Sequence, residues 1–369
     1  MVETTQDRMS RRESYYWKCD RPAAFFGTGS NSRSGEVPDE LLRRALWDHF
    51  HPDTLTLAPA AGQGNHLTWV AEIDGAPLFI RVENGPEGDD YLEMESAVLG
   101  EVAKTGVPVP QVHGCDASRT RVPFAWQALE RIPFADLNQW QKAGTLNADR
   151  VAFEIGQNLA RWQGIQPAGF GSFDLTAWRE GKGLCGWHDD YPTYFRLRLE
   201  THLDFLEANA FLTGSRRLEI ARSIEAHADL LELDQGCLVH KDLALWNILG
   251  SENHIAAFID FDDVVSGDPM DDFSLLGCFH DSLFLERAVA GYTTLRPLPN
   301  NHLRRFWLHL LRNLIVKAVI RVGAGYFDRD DGFFLIGSGG SGATLKQFTE
   351  QRLATALRGL SEDADFSIL

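Results

Sequence analysis

Residues His240-Lys241-Asp242-Leu243-Ala244-Leu245-Trp246-Asn247 place an Asp and an Asn five positions apart, and Asp260 follows thirteen residues later in Phe258-Ile259-Asp260-Phe261-Asp262. A loop Asp beside a bound hydroxyl can orient that hydroxyl and accept its proton. An Asn shortly after it and an Asp on the next hairpin can hold Mg2+ against the phosphates of a nucleotide. Taken together, between apolar runs that read as strands, these residues point to phosphoryl transfer from a nucleotide to a hydroxyl.

Such a set needs elements that hold it. After Pro38 a helical pattern begins in ELLRRALWDHF. Two β-like runs follow, Leu67–Ile73 and Pro77–Val82, joined by the hairpin dipeptide Asp74-Gly75. YLEMESAVLGEVAKTG has apolar residues at helical spacing and stops at Gly106, ahead of Pro108 and Pro110. QVHGCD and VPFAWQALERI read as two more strands, so 37–131 is expected to be a small α+β lobe with an antiparallel sheet. Helical patterns cover 149–165, 193–211, 214–232, 271–292, 302–323 and 343–360, with one small sheet around the Asp242 motif. Residues 132–369 are therefore expected to form a larger, mainly helical lobe. Residues 1–36 are polar and Gly/Ser-rich but carry Tyr15, Tyr16, Trp17, Phe25 and Phe26. They read as an arm that docks on the body or as a mobile tail, with both readings open.

The motifs identify the chain as similar to the aminoglycoside phosphotransferase / choline kinase family, which has the bilobal fold of protein kinases. The matching segments are His240–Asn247, Ile259-Asp260-Phe261-Asp262 and Gly267-Asp268-Pro269-Met270-Asp271-Asp272. The A-P-E segment of protein kinases is absent, and so is D-F-G in its usual form, which points to a small-molecule kinase. The resemblance implies ATP or GTP and Mg2+ as cofactors, Asp242 as catalytic base, Asn247 and Asp260 as metal ligands, and His240 as the brace of the catalytic loop. Asp268 and Asp272 would brace that loop and start a helix. Arg81 stands at the position of the phosphate-gripping Lys, with Glu95 of the following helix as its partner and Glu93 as the alternative. Gly62, Gly64 and Asn65 resemble the nucleotide-positioning turn. Glu130 and Ile132 fall at the interlobe hinge, where backbone groups would meet an adenine ring.

Three positions depart from the family pattern. Lys241 replaces the usual Gly, and reads either as a cation for the γ-phosphate or as a salt-bridged structural Lys. Trp246 fills a position that is often small, as a wall of the acceptor pocket or as a buried prop. Gln163 replaces a frequent His. The acceptor pocket is expected from the C-lobe, with Asp262, Trp246, Trp187, Asp189, Asp190, Tyr191 and Asp281 as candidates. Acids and rings there would suit an amine-bearing acceptor such as an aminoglycoside. A metabolic sugar, aminocyclitol or amino-alcohol kinase is the alternative within this fold. A nucleotide-binding pseudokinase and a metal hydrolase built on Asp260, Asp262 and Asp263 are the competing classes.

Composition limits these choices. The 369 residues carry 52 Asp+Glu against 35 Lys+Arg, a net charge of −17, which disfavours a nucleic-acid backbone as ligand. Seven of the 35 cations are Lys and the remaining 28 are Arg, so Arg at position 81 follows the habit of the chain. The five cysteines form no C-x-x-C and read as reduced thiols. No apolar run follows Arg11 and Arg12, and none reaches the length of a membrane span. The expectation is a cytoplasmic monomer or homodimer. The basic residues Arg304, Arg305, Arg312, Lys317 and Arg321 accompany a Leu/Ile/Val stripe that reads as a core face.

Overall fold

The computed structural model describes residues 10–21, 37, 39–60, 66–83, 88–329 and 341–369. After a short N-terminal helix, α1 (Trp17–Asp20), α2 (Asp39–Phe50) leads into the first sheet. Its strands are β1 (Leu55–Pro59), β2 (Leu67–Ile73), β3 (Ala76–Val82), β4 (Val112–Asp116) and β5 (Trp126–Glu130), with α3 (Tyr91–Lys104) between β3 and β4. All neighbours are antiparallel in the order β1-β2-β3-β5-β4. The β2–β3 turn works because Asp74 and Gly75 both take positive φ (50° and 82°), the twist that a two-residue hairpin needs. Leu78, Ile80 and Val82 alternate onto one face, where they pack with Leu42 and Leu46 of α2. Arg81 therefore points the other way, toward α3, which buries Glu95 among Tyr91, Met94, Val98 and Val102.

The second lobe contains α4 (Leu137–Ala143), α5 (Ala148–Trp162), β6 (Phe170–Phe173), α6 (Leu175–Arg179), β7 (Gly186–His188), α7 (Tyr191–Arg196), α8 (Leu199–Ala208), α9 (Gly214–Ala226) and β8 (Cys237–Val239). It continues with the hairpin β9 (Ile248–Ser251) and β10 (His254–Phe258), then β11 (Val265–Gly267), α10 (Met270–Gly277), α11 (Ser282–Thr293), α12 (His302–Gly323) and α13 (Gly342–Glu362). The expected single sheet is two: the β9–β10 hairpin and a four-stranded sheet in the order β7-β6-β11-β8. Both flank the Asp242 loop, which runs from the end of β8 to the start of β9.

Two expected helices are each broken in two. Residues 193–211 divide at Arg198, whose φ is +60°, because the buried Arg312 takes the carbonyls of Phe195 (3.2 Å) and Leu197 (2.7 Å). Residues 271–292 divide at Asp281, whose carboxylate caps α11 by accepting from the Phe284 N–H at 3.1 Å. The long helix α12 matches its expected span of 302–323. Its cations do not lie on the outside, however. Arg312, Lys317 and Arg321 are all buried. Among the described residues, no helix is long and apolar enough to cross a membrane.

Candidate active site

The Asp242 loop is held by hydrogen bonds from outside it. Asp272, at the start of α10, accepts the N–H groups of His240 (3.1 Å) and Lys241 (3.2 Å) and the indole N–H of Trp162 (3.2 Å). Asp268 accepts the Met270 N–H at 2.8 Å and pairs with Arg305 (2.7 Å) and His309 (3.1 Å) of α12. His240 lies within 3.0 Å of the Ile259 carbonyl through Nε2 and receives the Asp242 N–H at Nδ1. That pattern requires a neutral ring with its proton on Nε2. Burial lowers its pKa, which favours the same form. His240 thus ties the Asp242 loop to the strand end that carries Asp260.

Lys241 and Asp260 both have left-handed backbones, with φ of +68° and +66°. Neither is Gly, so each is held against a local preference. For Lys241 the restraint is visible. Its ammonium is buried and donates to Asp271 (2.6 Å), the Tyr15 hydroxyl (2.8 Å) and Asn313 (3.3 Å). The structural reading of Lys241 therefore describes its position here. Trp246 packs edge-on against Phe279, and Gln163 bridges the Pro269 carbonyl and the Tyr292 hydroxyl.

Asp242, Asn247, Asp260 and Asp262 come together, and Asp263 joins them. Asn247 donates to the Asp242 carbonyl (2.8 Å) and carboxylate (3.0 Å). Arg81 reaches both oxygens of Glu95 at 2.5 Å and Asp260 at 2.9 Å, so it links α3 to Asp260 across the two lobes. Burial lowers the Arg81 pKa, but Glu95 and then Asp260 and Asp262 raise it further, so the net shift is upward. Glu93, the alternative partner, pairs instead with Arg179. Gly62, Gly64 and Asn65 lie outside the described residues. Glu130 ends β5 with its N–H on the Gln111 carbonyl, and Ile132 follows the strand with no backbone hydrogen bond among the described residues.

Several cluster members were not anticipated. The Lys18 ammonium, from the N-terminal arm, lies 2.8 Å from Asp242, 2.9 Å from Asp260, 3.0 Å from Asp263 and 3.5 Å from Asp262. Lys317 of α12 donates to Asp242 Oδ1 at 3.0 Å, and the Tyr16 hydroxyl donates to the same oxygen at 2.9 Å. His66 approaches Asp262 at 3.5 Å. Burial would raise the Asp242 pKa, but Lys18 and Lys317 outweigh it and hold the carboxyl well below the usual range. Asp263 goes the other way: burial, together with Asp262 and Asp242, pushes it up to about 7. The cations on α12 were readable as a hint, because basic residues inside an apolar stripe need buried acids. Lys18 carried no comparable local signal.

The remaining acceptor candidates lie in several different settings. Asp190 caps α7 through the Thr193 N–H (2.7 Å), Asp281 caps α11, and Asp189 is exposed. Tyr191 is fully buried among Phe170, Tyr194, Phe195 and His309. Trp187 lies beneath Arg12 of the arm, 5.7 Å from the ring centre.

The carboxylates suit Mg2+. Oδ1 of Asp262 and both oxygens of Asp263 are buried and accept no aligned hydrogen bond among the described residues, with the Lys18 ammonium beside Asp262 Oδ1 and Asp263 Oδ2. Such lone pairs, with Asp260 beside them, are the hard oxygen donors that Mg2+ prefers.

A strand-rich lobe over a helical lobe, with an Arg–Glu pair above an Asp/Asn/Asp cluster, defines the class as a small-molecule kinase. The chain belongs to the phosphotransferase enzyme family, whose sequence profile matches residues 56–305. Solved structures share the fold at low identity. A candidate fructosamine-3-kinase from Thermobifida fusca YX-ER1 is 19% identical with a TM-score of 0.60, covering 85% of this chain and 98% of its own. Aminoglycoside phosphotransferase APH(4)-Ia is 16% identical with a TM-score of 0.60, covering 87% and 98%, and a thermostable mutant of it was crystallised with AMP-PNP and hygromycin B. Macrolide 2'-phosphotransferase MphH from Brachybacterium faecium is 17% identical with a TM-score of 0.51, covering 78% and 93%. By sequence, the chain matches none of the curated proteins compared with it.

Proposed function

We propose that this protein transfers the γ-phosphoryl group of Mg-ATP to a hydroxyl of a small, amine-bearing molecule, in the manner of an antibiotic phosphotransferase. One observation carries the reading. The Asp242 carboxylate already accepts a hydrogen bond from a hydroxyl, that of Tyr16, at 2.9 Å, beside a cation held by Asp242 and Asp260. An acceptor hydroxyl and a metal ion need the same two places.

In this mechanism Asp242 orients the acceptor oxygen and takes its proton as the oxygen–phosphorus bond forms and the bond to ADP breaks. Asp260 and Asn247 would hold Mg2+, with Asp262 and Asp263 as further oxygen donors. When bound, the ion neutralises charge on the β- and γ-phosphates. Arg81, fixed by Glu95, grips the phosphates. Catalysis is mostly positioning and charge neutralisation. The low Asp242 pKa leaves the carboxylate ionised at neutral pH, as a proton acceptor requires. A metabolic sugar, aminocyclitol or amino-alcohol kinase is the alternative.

The test is an ADP-release assay over aminoglycosides, macrolides, aminocyclitols, amino alcohols and sugars. Asp242→Asn is expected to lower turnover at least a thousandfold on any acceptor found, while Mg-ADP affinity stays within a few fold. Near-normal turnover would refute the role of Asp242.

A further inference from the structure

We propose that residues 10–21 are a tethered occupant of the acceptor and metal sites, and that the enzyme works only after this arm withdraws. The inference rests on the kinase reading above. The arm enters by a defined route. Arg11 donates to Asp89 of the N-lobe (2.7 Å) and to the Asp262 carbonyl (2.6 Å), with its guanidinium 3.6 Å from the Tyr91 ring centre. Ser172 and His188 hold the carbonyls of Arg11 and Arg12 at 2.8 Å each. The chain then descends into the cleft. Tyr15 stacks on Tyr194 with centroids 5.2 Å apart, lies under Arg312 at 3.7 Å, and takes the Lys241 ammonium on its hydroxyl. Asp20 fixes the turn by accepting the N–H groups of Tyr15 and Tyr16 (3.0 and 3.2 Å) and pairs with His202 at 2.7 Å. This places Tyr16 and Lys18 at the cluster.

Two features separate an occupant from a mere decoration of the surface. Tyr16 offers the base the one group an acceptor must offer, a hydroxyl. Lys18 brings one positive charge to all four carboxylates, at the point between them where a divalent ion would sit, while Lys317 and Arg81 pair with Asp242 and Asp260 from the sides. Lys18 and Mg2+ therefore compete for the same oxygens, and nucleotide-bound metal is the ligand that expels the arm. The arm also explains Lys241, the departure from the family's Gly. Its ammonium anchors Tyr15 as well as Asp271 and Asn313.

The experiment uses the full chain and the metal itself. Mn2+ binding is titrated by electron paramagnetic resonance for wild type, Lys18→Met and Tyr15→Ala. Lys18→Met removes the competing charge. Tyr15→Ala loosens the arm while leaving Lys18 and every carboxylate in the sequence. Both are expected to bind Mn2+ at least tenfold more tightly than wild type. In parallel, trypsin cleavage after Arg12 and Lys18 of wild type should accelerate at least tenfold when Mn2+ and AMP-PNP are added. Equal Mn2+ affinity in all three proteins, or arm cleavage unchanged while Mn2+ and nucleotide are bound, overturns the proposal and leaves the kinase reading standing. A phosphate found on Tyr16 after incubation with Mg-ATP would also overturn it, by making the arm a substrate. Absence of Mn2+ and nucleotide binding in every variant would refute the kinase reading and this proposal together.

Discussion

At the scale of single residues, the site is a balance of buried charge in which each aspartate has its own partners. Asp268 is the clearest structural case. Burial raises its pKa, but His309 and Arg305 more than offset that and bring it to about 2. A carboxylate depressed from 3.8 to about 2 contributes on the order of 2–3 kcal/mol to folding. The depression means that this stability is complete above about pH 4 and is lost as pH falls toward 2. Asp268→Asn should therefore lower urea stability by about 2–4 kcal/mol at pH 7, the cost of breaking a buried pair. The gap between variant and wild type should close between about pH 4 and pH 2. A gap that stays constant across that range would show that Asp268 acts through shape and not charge.

At the scale of elements, close approach of backbones sets the base of the helical lobe. α5 and α11 pack so tightly that a Cβ on Gly291 would lie 2.0 Å from the Phe153 carbonyl oxygen, and one on Gly156 would lie 1.8 Å from that of Ala288. Helix backbone cannot move aside as a side chain can. Gly291→Ala is expected to cost about 1–3 kcal/mol and to lower the thermal midpoint by several degrees. Mg-ADP affinity measured well below the midpoint should be unchanged, because neither helix contributes a group to the Asp242 cluster. A large loss of affinity would mean that this packing positions the site. α12 has the opposite role. Arg312 reaches the carbonyls at the end of α7, Arg305 reaches Asp268 and Lys317 reaches Asp242, so one helix ties these three parts of the lobe together.

At the scale of the whole molecule, the two lobes meet through charge as well as packing. Arg81 carries Glu95 on one side and Asp260 on the other, and Arg179 of the C-lobe reaches Asp90 and Glu93 of the N-lobe. The planar fork lets Arg81 serve two carboxylates at once, which a Lys ammonium does less well. Arg81→Lys is therefore expected to weaken Mg-ADP binding about five- to twentyfold by calorimetry, with little change in thermal stability. Unchanged affinity would place the phosphate grip elsewhere.

The fold class and the heart of the site were legible because their signals are local. Alternation marked β2 and β3, Asp74-Gly75 marked their turn, and α12 followed from its continuous apolar stripe. Asp242, Asn247 and Asp260 were readable because a loop and a hairpin fix their mutual positions within about twenty residues of chain. The breaks at Arg198 and Asp281 were harder, since the first depends on Arg312, more than a hundred residues away. The orientation of the α12 cations needed the same distant information. Lys18 and Tyr16 lie more than 220 residues from Asp242 along the chain. Their side chains carry no spacing pattern that names a partner. The sequence by itself determined which groups the proposed phosphoryl transfer would use, because that chemistry depends on residue type and short-range spacing. Only the tertiary structure decided what sits on those groups, because burial and long-range charge pairing bring the arm to Asp242.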